Sequence, residues 1–151
     1  MDDKQMMNIL DRLLEEEKVA MLANVDEDGK PALRWMTPGL VRGQEGRIYA
    51  VTSPKFSKVA QLKKNRYVSW MIQKKDLSEI LTIRGRVELL DNPSLRSMVM
   101  EAIGPKLATF WKLNDDETDV VILETVIKEI EYYVPATGTR EQVAIAREES
   151  K

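Results

Sequence analysis

Neither cysteine nor histidine occurs anywhere in this chain of 151 residues. Without cysteine there are no disulfides, no thiolate metal sites and no thiol nucleophile. Without histidine, a His-ligated haem, a Ser-His-Asp triad and the usual proton shuttle of neutral pH are excluded. Long apolar runs are missing as well, and the longest falls far short of the roughly 20 residues that a membrane-spanning helix needs. The N-terminus carries Asp2 and Asp3 and no extended apolar core, which argues against a secretory signal. A strong excess of one charge is also lacking: the formal net charge is −2, whereas nucleic-acid binding calls for a clustered positive excess. Lys63, Lys64 and Arg66 read as solvation of a helix end, and Asp115, Asp116 and Glu117 as an acidic loop with no further metal ligand nearby. The expectation is a cytoplasmic protein with no membrane partner, no nucleic-acid partner and no metal.

What is present suffices for one core. Apolar residues make up 43% and charged residues 32%, the balance of an ordinary folded domain of this length. Met6, Ile9, Leu10, Leu13 and Leu14 recur at helical spacing and predict an N-terminal helix within residues 1–18. Strands are expected at Val19 to Val25, from about Ala32, at Arg47 to Thr52, at Tyr67 to Ile72 and at Ile80 to Leu90. In the last of these Leu81, Ile83, Gly85, Val87 and Leu89 alternate with Thr82, Arg84, Arg86 and Glu88, the pattern of a half-buried strand. Asp28-Gly29 marks a turn, and the short connections favour an antiparallel meander. Pro54 suits the first turn of a helix ending near Asn65, and Asn92-Pro93 suits the start of another, with Leu95, Met98, Val99, Ala102 and Ile103 as its apolar stripe. Val120 to Val134 reads as strand with a break near Thr125. Residues 136–151 are polar and charged and read as a flexible tail. The whole of 1–151 is thus one domain, mainly β with α: an antiparallel β-barrel decorated by helices.

One stretch carries chemistry. A β-like run, Ile48-Tyr49-Ala50-Val51, ends in Thr52 and Ser53, and Ser57 and Lys58 follow where a helix begins. Arg34 lies on the preceding strand. Taken singly, Arg34 is a solvent-facing strand arginine and Lys58 a solvated helix lysine. Together with Thr52, Ser53 and Ser57 they fit a phosphate, which takes several cationic groups and donors at once. Unpaired N–H groups at the helix start add to the pull on an anion. Tryptophans invite the same weighing. Trp111 and Trp70 read as core or interface anchors, and Trp35 is the more interesting because it adjoins Arg34. One of Tyr132 and Tyr133 is expected to be buried, and Met6, Met7, Met98 and Met100 to fill gaps in the core.

These residues carry a family resemblance. Val19 to Ile72, with Ile83-Arg84-Gly85-Arg86-Val87, resembles the pyridoxamine-phosphate-oxidase-like flavin-binding split barrels. The matching features are Asp28-Gly29 and Pro31 followed by Arg34, then Ile48-Tyr49 to Thr52-Ser53, Lys58, Asn65 and Val68-Ser69. Within that family the chain is similar to the small general-stress proteins. The resemblance implies an antiparallel split barrel and a homodimer with FMN at the subunit interface. It implies Arg34, Thr52, Ser53, Ser57 and Lys58 on the flavin phosphate, and the backbone of Trp35, Met36 and Thr37 along the isoalloxazine ring. The oxidases that name the family close with an Arg- and His-rich stretch that grips pyridoxal phosphate. This chain has Gly138-Thr139-Arg140-Glu141-Gln142 there and no histidine, so that oxidation is disfavoured, as are haem-binding relatives that depend on histidine. The expected activity is flavin-dependent oxidoreduction of a small molecule. The alternatives are a flavin-binding or sensing protein without efficient turnover, and a relative that binds the deazaflavin F420.

Overall fold

The computed structural model describes residues 1–53, 56–107 and 120–145. Helix α1 (Asp3–Glu16) opens the chain, capped by Asp2, whose carboxylate accepts from the Gln5 N–H while the Gln5 side chain takes the Asp2 N–H in return. Seven strands follow among the described residues: β1 (Ala20–Val25), β2 (Pro31–Met36), β3 (Arg47–Thr52), β4 (Tyr67–Gln73), β5 (Ile80–Leu90), β6 (Val121–Val134) and β7 (Thr139–Ala144). Helix α2 (Ser57–Lys64) lies between β3 and β4, and α3 (Pro93–Ile103) follows β5, its first turn capped by Asn92 as its sequence predicts. No helix of the described residues is long and apolar enough to cross a membrane.

The strands form one antiparallel sheet in the order β2-β1-β4-β5-β6-β3, with β7 added to β6. The order differs from the expected meander because β3 passes over its neighbours in sequence and pairs with β6, Arg47 opposite Val126 and Thr52 opposite Val121. The sheet curls until its two end strands approach one another. There the loop after β2 touches β3 through a single bridge, Gly39 N–H to the Tyr49 carbonyl at 2.8 Å and Tyr49 N–H to the Gly39 carbonyl at 2.9 Å. Beyond that pair β2 and β3 have no ladder between them, which makes the barrel a split one.

The inward side chains of this barrel, among them Leu22, Ile48, Val68, Trp70, Ile72, Leu81, Ile83 and Ile130, form the main core, which Met6, Leu10, Leu13 and Leu14 of α1 close at one end. Trp70 is buried packing, as its strand position suggests, with its indole N–H donating to Thr125 Oγ1 at 3.0 Å. A smaller core lies on the outer side of β3 and β6, where Val99 and Ile103 of α3 cover Tyr49, Val51 and Ile122.

Four expectations change. Residues 136–151 do not begin as a tail: after a turn at Gly138, Thr139 to Ala144 pair with Val134 to Glu129, and Val143 and Ile145 enter the main core. Polar composition concealed this strand because β7 is a sheet edge that buries only every second side chain near its end. The break near Thr125 is absent, since β6 runs unbroken from Val121 to Val134. Neither Tyr132 nor Tyr133 is buried, and Met98 is exposed rather than a core filler, because α3 buries only Val99 and Ile103. Trp111 and the acidic stretch Asp115 to Glu117 lie outside the described residues.

The strand that binds this arrangement is irregular at one point. Arg84 faces Glu129 but Gly85 faces Ile127, so Lys128 is an extra residue on β6. A Cβ at Gly85 would lie 2.5 Å from the Val126 carbonyl oxygen and 2.7 Å from Thr125 Cγ2. Since backbone cannot yield as a side-chain tip can, Gly85→Ala is expected to lower stability by about 1–3 kcal/mol. Chemical denaturation of the two proteins checks this, read as a lower midpoint at unchanged slope.

Candidate anion-binding site

Alternation along β2 sets the site. Ala32, Arg34 and Met36 face inward and Leu33 and Trp35 outward, and Arg34 sits opposite Leu22 of β1. Two residues along β1, on the same face, stands Asn24, a polar side chain buried in an inward row of Ala20 and Leu22. Helix α2 covers this end of the barrel. It packs on β1 and β5, and its turn-to-turn spacing puts Lys58 and Gln61 on one buried face with Val59 and Leu62.

Lys58 is the second residue of α2 and only 5% exposed. Its Nζ lies 4.4 Å from the centroid of the Phe56 ring, a contact between cation and aromatic face. Among the described residues no carboxylate is paired with Lys58 or with Arg34. Burial, reinforced by the positive charge of Arg34, pushes the Lys58 ammonium down to about 8. Burial also lowers Arg34 from its ordinary value, although a guanidinium remains charged under any ordinary condition.

Among the described residues two buried donors, Arg34 Nε and the Thr52 hydroxyl, have no partner, and neither has the acceptor Asn24 Oδ1. Buried polar groups are nearly always satisfied, so such donors next to two cations need an explanation. An anion with several oxygens supplies one. Thr52 ends β3, and counting outward from the Gly39–Tyr49 bridge sets it level with Met36 across the split seam. Ser53 is buried beside it.

Gln61 ties the cluster together. Its Oε1 accepts from Asn24 Nδ2 at 2.9 Å and from an Arg34 terminal nitrogen at 3.5 Å, while its Nε2 donates to Glu27 Oε1 in the β1–β2 turn at 3.2 Å. Phe56, at the N-cap of α2, offers no side-chain acceptor to the first-turn N–H groups.

Of the residues singled out from sequence, Arg34, Lys58, Thr52 and Ser53 are therefore buried or half-buried at one end of the barrel. Ser57 is exposed, and among the described residues no hydrogen bond ties it to Arg34, Lys58 or Thr52. Met36 and Thr37 are buried, and Trp35 faces outward, 46% exposed. Because among the described residues β2 forms a ladder with β1 alone, its other edge leaves backbone donors and acceptors available along the seam. Sequence reasoning missed Asn24 and Gln61. The signals were present: a polar residue in an inward strand row, and a glutamine three residues after Lys58. Pro54, expected in the first helical turn, lies outside the described residues.

The family model described as Pyridoxamine 5′-phosphate oxidase matches residues 8–133. Among solved structures the chain is similar to a Clostridium acetobutylicum protein related to general stress protein 26 of B. subtilis, at 20% identity over 95% of this chain and 96% of that one, with a TM-score of 0.72. It is similar to general stress protein 26 from Bacillus anthracis at 14% identity, covering 93% and 99% of the two chains, with a TM-score of 0.70. An FAD-binding protein from Mesorhizobium loti matches at 18% identity over 94% of each chain, with a TM-score of 0.65. No curated protein sequence matches the chain. At these identities the structures carry the fold alone.

A buried, uncompensated lysine has a measurable signature. Folding holds Lys58 below its ordinary value of 10.5, so the unfolded chain binds more protons between about 8 and 10.5. Stability from this group is therefore missing below about 8 and regained as pH rises through that window. Lys58→Met is expected to be more stable than the parent at pH ~7, with the margin closing toward pH ~10. Unfolding free energies of the two proteins across that range test it, and a margin that does not change with pH contradicts the burial of a charged lysine.

Proposed function

Because the chain belongs to the pyridoxamine 5′-phosphate oxidase family, we propose that it binds FMN non-covalently and acts as a flavin-dependent oxidoreductase on a small molecule. The observation that carries this reading is the pair of neighbouring cations, Lys58 and Arg34, with no carboxylate paired to either among the described residues, taken with two unpartnered buried donors, Arg34 Nε and Thr52 Oγ1. The flavin phosphate is a monoester carrying nearly two negative charges at neutral pH. Two cations in a largely dry site match that charge, and its oxygens give Arg34 Nε and the Thr52 hydroxyl the acceptors they lack.

In this reading Arg34 supplies a planar fork and Lys58 a compact charge, with Ser53 and the start of α2 completing the cradle. Ser57, exposed at the first helical position, is the outermost of the proposed phosphate contacts. The free edge of β2 at Trp35, Met36 and Thr37 offers backbone groups to orient the ring, and the split seam shields it from water. The bound flavin supplies hydride or electron transfer between a reduced nicotinamide and a small acceptor. This reading does not include oxidation of pyridoxamine phosphate, which the lack of any histidine disfavours.

The same reading includes a homodimer. Across β2, β1 and β4, Trp35, Met21 and Met71 stand in one row of the outward face, flanked by Leu33 and Tyr67. Leu33 and Tyr67 are 67% and 68% exposed, and an apolar face of this kind on a curved sheet supports a second copy as its cover. Since Arg34 and Trp35 are adjacent on opposite faces of β2, a partner seated there reaches the edge along which the ring is proposed to lie.

FMN titration of the cofactor-free protein tests the assignment. Saturable quenching of flavin fluorescence is expected, weakened about 10–100-fold in Lys58→Ala by loss of a charge-assisted contact. An unchanged dissociation constant in that variant removes Lys58 from the phosphate. FMN binding without reduction by NADH or NADPH points to a flavin-binding protein without turnover, and binding of F420 in place of FMN points to the deazaflavin. Light scattering checks the dimer: twice the 17.3 kDa of one chain is expected, falling to one chain in Leu33→Lys.

A further inference from the structure

The neighbours of Arg34 raise a problem of charge. A partly buried arginine commonly rests against a carboxylate, and one is close at hand: Glu27, in the turn that leads into β2, lies on the far side of Gln61. A direct Arg34–Glu27 pair would satisfy both groups and cancel the charge an anion needs. Gln61 stands between them. Its amide orientation follows from its neighbours: Oε1 meets two donors, Asn24 Nδ2 and Arg34, while Nε2 meets the Glu27 carboxylate. The reversed amide would set donor against donor and oxygen against carboxylate.

We propose that Gln61 is a positioning residue, a neutral link that aims the Arg34 guanidinium at a bound anion and keeps the Glu27 carboxylate from neutralising it. This rests on reading the cradle as an anion site. Three features support it. Gln61 is 8% exposed and shares the buried face of α2 with Lys58. Its contact to Arg34 is long at 3.5 Å, so it steers one terminal nitrogen and leaves Nε without a partner. Asn24, which donates to the same oxygen, also donates to the Val25 carbonyl at 3.3 Å and so holds the amide against β1. A neutral acceptor leaves two full charges, Arg34 and Lys58, facing whatever binds.

The test uses two substitutions and three probes. Gln61→Glu keeps the shape and the acceptor but adds a carboxylate, and Gln61→Met keeps the bulk without hydrogen bonds. Each is titrated with FMN and with inorganic phosphate, with riboflavin as the probe that lacks the anion and thermal unfolding as the check on folding. In Gln61→Glu, affinity for FMN and phosphate is expected to fall about 10–100-fold, and in Gln61→Met about 2–10-fold, with riboflavin unchanged in both. The pH above which phosphate binding weakens, set in the parent by Lys58 near 8, is expected to move upward in Gln61→Glu. A purely structural role would leave that breakpoint in place and weaken riboflavin equally. Parent-like affinities in both variants, or an equal loss of riboflavin, overturn the inference. A parent protein that binds phosphate but not FMN defeats the flavin reading while the comparison for Gln61 proceeds on phosphate. A parent that binds neither overturns both.

Discussion

Strand β6 is the constraint on which the barrel depends. Along one edge it carries β5 for that strand's full length. The other edge is shared, with β3 on Val121 to Val126 and β7 on Glu129 to Val134. Where one partner gives way to the other, Ile127 N–H donates to the Gly46 carbonyl and the Lys128 carbonyl accepts from Ile145, so the chain on either side stays tied to β6. The extra residue Lys128 falls at this point, facing a glycine on β5 that leaves room for the bend. A barrel needs its sheet to turn sharply somewhere, and a bulge opposite a glycine is the low-strain way to do so.

The end of the barrel under α2 is governed by charge more than by packing. Elsewhere on the molecule cations and anions meet directly: Arg12 with Glu79 at 2.6 Å, Arg66 with Glu88 at 2.7 Å, Arg47 with Glu124 at 3.4 Å. Those pairs tie α1 to the β4–β5 turn and one strand to the next. Arg34 and Lys58 depart from this habit. They face the Phe56 ring and the Gln61 amide, and among the described residues neither is paired with a carboxylate and Arg34 Nε has no partner. Keeping two like charges close in a dry place is unfavourable, and structures retain such sites where function requires them.

Much of this could be read from the chain itself. The alternation of Leu81, Ile83, Gly85 and Val87 gave β5, Asn92-Pro93 gave the start of α3, and the step from Thr52-Ser53 to Lys58 gave the cationic half of the site. Each of these signals is local, fixed by residues within a few positions of one another. Pairing of β3 with β6 could not be read this way, because Arg47 and Val126 are brought together only by the closure of the whole sheet. Strand β7 was hidden for a different reason: an edge strand that buries only Val143 among largely exposed neighbours has the composition of a tail. Gln61 was overlooked because its spacing from Lys58 gains meaning only when the strands beside it supply Asn24 and Arg34.

The single bridge between Gly39 and Tyr49 has a consequence for how such a protein changes over evolutionary time. A barrel laced all the way round has its girth set by strand number and stagger. Here the lacing stops at one pair, and the width of the opening depends on the loop from Thr37 to Gly46. Residues gained or lost in that loop would widen or narrow the mouth while leaving the side chains packed behind it untouched. The fold can thus refit its opening to molecules of different breadth by tailoring a single stretch of chain.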